Sequence, residues 1–242
     1  KSGILMPVSS LPSAYGIGAL DSAAYHFVDQ LQRGAQRIWQ ILPLGMTGYG
    51  NSPYQPLSLR SGNPYFLSLE ELAENGWLYP DELPPREIHR DRVDYGWLYE
   101  TRMHLLHLAF SRSGIAEDQA FLRFQQQEEI QDHALYMALK DRYHGAPWYE
   151  WPQPLRFRDE QALAQAKQEL CEEMAFHAFT QYVFEQQWMK LKRYANQKGI
   201  EIIGDLPFHA AYDSVDVWAY PQLFMLNARL EMERSEERRV GK

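Results

Sequence analysis

Cysteine is almost missing from the 242 residues: Cys171 stands alone. A single thiol excludes an intramolecular disulfide and any multi-cysteine metal centre, and it agrees with a reducing compartment. Long apolar runs are missing as well. None approaches the roughly 18 residues that span a bilayer, and the N-terminus carries no charged, apolar, small-residue signal pattern, so a cytoplasmic chain off the membrane is expected. Positive charge is in deficit, with 24 Lys+Arg against 32 Asp+Glu and a formal net charge of −8, which argues against a nucleic-acid binder. What remains is ordinary globular material: 45% hydrophobic and 23% charged residues, enough for a real core. Aromatic residues are plentiful, 7 Trp, 15 Tyr and 11 Phe. They serve a large core, and their faces can also serve as platforms for sugars or bases. The length allows one barrel-sized domain or two small ones.

The opening reads strand, helix, strand. Gly3-Ile-Leu-Met-Pro-Val8 is a short apolar run that ends in Ser9-Ser10-Leu11-Pro12. Asp21 is placed to cap a helix through Leu31, with Ala24, Phe27, Val28 and Leu31 on one face and Gly34 closing it. Arg37-Ile-Trp-Gln-Ile-Leu42 is a second strand, stopped by Pro43 and Gly45. This βαβ pattern implies parallel strands and a right-handed crossover. Residues 45–64 are rich in Gly, Pro, Ser, Asn and Tyr without periodicity, a long loop of the kind that carries function. From about residue 69 to 198 the pattern is helical, with helices expected over 69–73, 99–110, 117–140 and 159–198. In the last, Leu170, Met174, His177, Gln181, Phe184, Trp188, Leu191 and Ala195 mark one face. After Gly199, Ile200-Glu-Ile-Ile203 is a third strand that delivers Asp205 to its C-terminal end, where parallel α/β folds bind ligands.

Several apparent motifs carry little. Gly16-Ile-Gly18 lacks the third glycine of a dinucleotide fingerprint, since position 21 is Asp. His104 and His107 share a helical face without a third ligand, so no metal is expected. His177 and Gln181 interrupt an apolar stripe, the mark of a hydrogen-bonded core pair more often than of a site. No Gly-x-Ser-x-Gly elbow, phosphate loop or Cys/His nucleophile pair occurs, which leaves carboxylate chemistry. The loop Gly48-Tyr-Gly-Asn-Ser-Pro-Tyr-Gln55 has the hydroxyls, amides and aromatic faces of a sugar-binding lip.

Longer strings are more specific. Gly3-Ile-Leu-Met-Pro-Val-Ser-Ser-Leu-Pro12, Tyr15-Gly-Ile-Gly18, Trp39-Gln-Ile-Leu-Pro-Leu-Gly45 and Thr47-Gly-Tyr-Gly-Asn-Ser-Pro-Tyr-Gln55 resemble the start of the amylomaltase family of 4-α-glucanotransferases, glycoside hydrolase family 77. The resemblance continues through Gly62-Asn-Pro-Tyr65, Val93-Asp-Tyr-Gly96, Phe176-His-Ala-Phe-Thr-Gln181, Ile203-Gly-Asp-Leu-Pro207, Asp213-Ser214 and Val217-Trp218, and covers about residues 1–226.

The resemblance implies an α/β fold: the first part, about three strands, of a (β/α)8 TIM barrel with an inserted, mainly helical subdomain. It divides the chain into residues 1–68 (first strands and substrate loop), 69–198 (helical insertion and long barrel helix), 199–226 (third strand and its loop) and 227–242. The last stretch, rich in Glu and Arg, reads as a charged, disordered tail outside the family pattern. The implied activity is transfer of α-1,4-glucan segments between maltodextrins by retaining double displacement, with no metal or organic cofactor. By resemblance, Ser52, Tyr54 and Asp205 line the substrate cleft, while Tyr49 and Tyr99 belong to a secondary glucan groove. For Asp205, capping of its own turn is the structural alternative. The nucleophilic Asp and acid/base Glu of the family are expected beyond the chain end, so no catalytic residue is assigned. The expectation is therefore a truncated, inactive glucanotransferase, or alternatively a non-catalytic maltodextrin-binding fragment. α-1,4-Glucans are the expected partners, with no nucleic acid and no membrane. Three strands without closure would leave an open edge through which copies self-associate.

Overall fold

The computed structural model describes residues 1–48, 51–85 and 92–232. Its first strand, β1 (Gly3–Leu5), leads through a single turn at Val8–Ser10 to helix α1 (Ser22–Arg33) and then to β2 (Ile38–Gln40). Asp21 caps α1 as expected, accepting from the Ala23 amide at 3.0 Å. Gly18 allows the entry turn, since a Cβ there would lie 1.8 Å from the Val8 carbonyl oxygen.

A run of helices follows: α2 (Leu69–Glu74), α3 (Tyr95–Arg112), α4 (Gln119–Phe124), α5 (Glu128–Arg142), α6 (Gln153–Arg156), α7 (Glu160–Glu169) and α8 (Cys171–Gln197). Two of the expected helices are broken. Residues 117–140 divide because Asp118 caps α4 through the Ala120 and Phe121 amides and Gln127 is extended before α5. Residues 159–198 divide at Leu170, whose backbone (φ −111°, ψ 24°) ends α7. Neither break has a glycine or proline to announce it. The chain continues through Gly199, in the left-handed region at φ +76°, where Ile200 N–H bonds back to the Ala195 carbonyl. Then come β3 (Glu201–Ile203) and α9 (Val215–Ala219).

The strands form one parallel sheet in the order β1-β2-β3, with Ile4, Trp39 and Ile202 in register. All three strands are short, and the outer two have no further partner among the described residues. Trp39 is buried, donates its indole N–H to Met6 O at 2.8 Å and meets Phe27 edge-on.

One apolar cluster runs without interruption from the sheet (Trp39, Ile200) and α1 (Val28, Leu31) to α3 (Leu98, Leu106) and α8 (Phe176, Phe179). A second lies between the far side of α5, α7 and α9 and contains Trp148, Trp151 and Trp218. Helix α8 is buried on every side from Phe176 to Gln181, wider than the single stripe its spacing implies, because α1, α3, α4 and α5 all pack on it. Arg102 is wholly buried on α3 and fastens two loops, donating to Leu67 O at 3.0 Å and Tyr15 O at 3.1 Å. Burial lowers its pKa to about 10, against the pull of Asp21. Residues 227–232, expected in the disordered tail, make an ordered turn instead: Asn227 N–H bonds Glu231 O and Leu226 pairs with Met232. The Asn227 side chain drives this, accepting from the Arg229 and Glu231 amides. Among the described residues no helix is long and apolar enough to cross a membrane.

Candidate functional site

In a parallel sheet all C-terminal strand ends open on one side, and here the segments leaving β2 and β3 meet there. The β2 loop is a small hairpin of its own: Thr47 pairs with Pro56, Leu57 N–H bonds Met46 O, and the Ser52 hydroxyl accepts from the Tyr54 amide at 3.3 Å. At the hairpin tip the Tyr54 hydroxyl donates to Asp205 Oδ2 at 2.8 Å. That bond ties the loop to the end of β3, and it raises the Tyr54 pKa because the phenol already serves a carboxylate. Asp205 takes up this hydroxyl rather than an N–H of its own turn. The Phe208 ring leans against Tyr54, centroids 6.1 Å apart, meets the His209 ring at 4.7 Å and is largely exposed.

The loop is held at its far end too. Gly62 donates its N–H to Gln181 Oε1 at 2.8 Å and accepts from Gln181 Nε2 at 3.0 Å. A Cβ on Gly62 would lie 2.2 Å from the Phe184 ring, so this close approach requires glycine. Gln181 is thus a core clamp, and His177, 3% exposed, is bonded to Asp141 at 2.7 Å, as the interruption of the apolar stripe suggested. His107 lies flat on Phe176 at 3.6 Å, and among the described residues no three His, Cys, Asp or Glu side chains gather as metal ligands.

A second carboxylate, on the segment between β3 and α9, is engaged in the framework. Asp213 accepts from Lys140 Nζ at 2.6 Å and from the Tyr136 hydroxyl at 2.7 Å, while Lys140 also reaches the Gly145 and Ala146 carbonyls. Beside it, Trp148 donates its indole N–H to Tyr212 O, and Tyr149 stacks on Tyr212 at 4.7 Å. Tyr136, Lys140 and Phe208 are absent from the sequence-based assignment. Only Lys140 left a trace, as a lysine at the end of the apolar run Ala134–Leu139, where burial demands a partner. Tyr99 stands on the second turn of α3 and is exposed, with no contact to Tyr54 or Asp205 among the described residues. Tyr49 lies outside the described residues.

The exposed Phe208 ring, the half-buried Tyr54 ring and the Tyr54 hydroxyl on Asp205 form a surface that can stack a sugar ring and bond its hydroxyls. A sequence model described as 4-alpha-glucanotransferase matches residues 6–232, nearly the whole chain. The chain belongs to the 4-alpha-glucanotransferase family. The match runs six residues past Leu226, where the motif resemblance ends, and takes in the Asn227–Glu231 turn. The 4-alpha-glucanotransferase of Thermus thermophilus is 46% identical over 231 residues, 93% of this chain and 46% of the relative. That of Streptococcus pneumoniae is 44% identical over 230 residues. Among solved structures, an amylomaltase from Streptococcus agalactiae in complex with acarbose superimposes with a TM-score of 0.88 at 40% identity, over 94% of this chain and 47% of that one. The amylomaltase of Corynebacterium glutamicum, at 17% identity and a TM-score of 0.70 over 91% of this chain and 32% of that one, shares the fold. The chain spans about half the length of the curated 4-alpha-glucanotransferases it matches.

Proposed function

We propose that this chain forms the glucan-binding front of a 4-α-glucanotransferase, an enzyme that cleaves an α-1,4-glucan and passes the donor segment to the 4-hydroxyl of another. Its three strands are the first part of a (β/α)8 barrel. A maltodextrin lies across their C-terminal ends, where Ser52, Tyr54 and Asp205 bond sugar hydroxyls and Phe208 adds an apolar face. Tyr99, exposed on α3, offers a separate aromatic platform. The observation that carries the reading is the Tyr54–Asp205 hydrogen bond, because it assembles a polar, aromatic patch at the strand ends from two segments far apart in sequence.

Retaining transfer needs two carboxyl groups about 5 Å apart, one as nucleophile and one as acid/base. Asp213 is held by Lys140 and Tyr136, and Asp216 accepts the Leu59 amide at 2.8 Å. With those carboxylates serving the framework, the 242-residue chain on its own binds maltodextrin without transferring it. The test is glucose release from maltotriose by this chain, with longer maltodextrins sought in the same mixture and binding followed by calorimetry. Binding without release is the expected result. Release above blank would reassign Asp205, Asp213 or Asp216 as catalytic, and absence of binding would remove the glucan reading of this surface.

A further inference from the structure

Asp213 fixes one end of the segment that carries Asp205 away from β3. Besides Lys140 Nζ and the Tyr136 hydroxyl, its carboxylate accepts the Trp148 backbone N–H at 3.2 Å. Next to it, Tyr212 O accepts the Trp148 indole N–H at 2.7 Å. The residues between are held far less. Among the described residues, 204–211 make no backbone-to-backbone hydrogen bond, and Leu206 and Phe208 are exposed. Their path is therefore set at its two ends: by Ile203, whose carbonyl accepts the Ile41 N–H at 3.0 Å, and by the cluster at Asp213.

The same cluster reaches the Tyr54 hairpin from the other side. Directly after Asp213, Val215 donates its N–H to Leu57 O at 2.9 Å, and Asp216 accepts the Leu59 N–H at 2.8 Å. Leu57 in turn closes the hairpin base on Met46 O. Both members of the Tyr54–Asp205 pair thus hang from residues 213–216, Asp205 through the chain that precedes them and Tyr54 through the hairpin base. A hydrogen bond weakens steeply once donor and acceptor lose distance or alignment, so a small shift of this segment is enough to part the pair. Lys140, on α5, is enclosed by Asp213 and the Gly145 and Ala146 carbonyls, and acts on the pair only through Asp213.

We propose that Lys140 is a positioning residue for the patch at the strand ends: by holding Asp213 it places residues 213–216, and so keeps the Tyr54 hydroxyl within reach of Asp205. The consequence for affinity rests on the glucan reading of that patch, whereas the placement of Tyr54 does not.

The test combines calorimetry with maltotriose and ¹³C NMR of the full chain labelled at tyrosine Cζ. Lys140→Met should weaken maltotriose binding about fivefold, the effect of one lost hydrogen bond, and add little to the loss in Tyr54→Phe, because both remove the same bond. The Tyr54 Cζ resonance, identified with Tyr54→Phe, should move toward the position it takes in Asp205→Ala. Leu31→Ala, a core truncation on α1, should lower the melting temperature and leave that resonance unmoved, which separates positioning from general loss of stability. Should Lys140→Met not fold, Tyr136→Phe takes its place, with a smaller movement in the same direction expected. An unmoved resonance in the folded variant overturns the proposal, as does an affinity loss that adds in full to that of Tyr54→Phe. If maltotriose does not bind the parent chain, the glucan reading falls, and the Cζ resonance alone decides whether Lys140 positions Tyr54.

Discussion

The Tyr54 hydroxyl donates to the Asp205 carboxylate at 2.8 Å, joining the tip of the β2 loop to the end of β3 across 151 residues. Neither group is deeply buried, so the bond orders a surface more than it stabilises the fold. Tyr54→Phe should lower maltodextrin affinity about fivefold by calorimetry with the melting temperature nearly unchanged. A parallel loss of both would make Tyr54 a core residue.

Lys140 and Asp213 tie α5 to the segment that precedes α9. Lys140→Met leaves the Asp213 carboxylate without its cation and should cost roughly 3 kcal/mol or more in urea unfolding. Tyr136→Phe removes one hydrogen bond and should cost about 1 kcal/mol. The double variant should fall short of the sum, since both donors serve one acceptor.

His133 supplies a pH signature. Its folded pKa is about 3 against an ordinary 6.5, so between those values the unfolded chain binds a proton that the folded chain refuses. Stability from this residue is complete above pH 6.5 and is lost as the pH falls toward 3, by up to about 1.4 kcal/mol per unit. Denaturant melts at pH 7, 6 and 5 should show a shallower decline for His133→Phe than for the parent chain.

Gly62→Ala drives a methyl group into the Phe184 ring, 2.2 Å away, and should cost about 1–3 kcal/mol. Phe184→Leu in the same chain should recover part of that loss, because the aromatic ring is the obstacle. Thermal melts of the three variants check both statements.

Strand β1 exposes Leu5, the segment after β3 exposes Leu206 and Phe208, and the segment after α9 exposes Leu223 and Met225. Size-exclusion chromatography of the isolated chain should therefore show association that grows with concentration, and Leu5→Lys on β1 should reduce it, as charge on an edge strand does. A sharp cooperative monomer melt above about 60 °C would count against this.

Much of the architecture was legible because its causes are local. The βαβ opening, the Asp21 cap and the Gly199 stop each rest on residues within one or two turns of one another. The break at Leu170 was not legible, since the residue is an ordinary buried leucine and the bend is set by what packs on α7 and α8. Gln181 shows the boundary between the two cases. Its place on an apolar stripe announced a satisfied core amide, but that its partner would be Gly62, 119 residues away, could not be read from periodicity.

By itself the sequence determined the order of strands and helices, the single thiol and acidic balance, and the ordered motifs that mark the family. These follow from short-range backbone preference, composition and residue identity. Tertiary structure alone decided that Tyr54 meets Asp205, that Asp213 is bound to Lys140 rather than free for chemistry, and that His133 is buried with its Nδ1 unpartnered. Those facts depend on strand register and helix packing, which bring together side chains that no spacing along the chain relates.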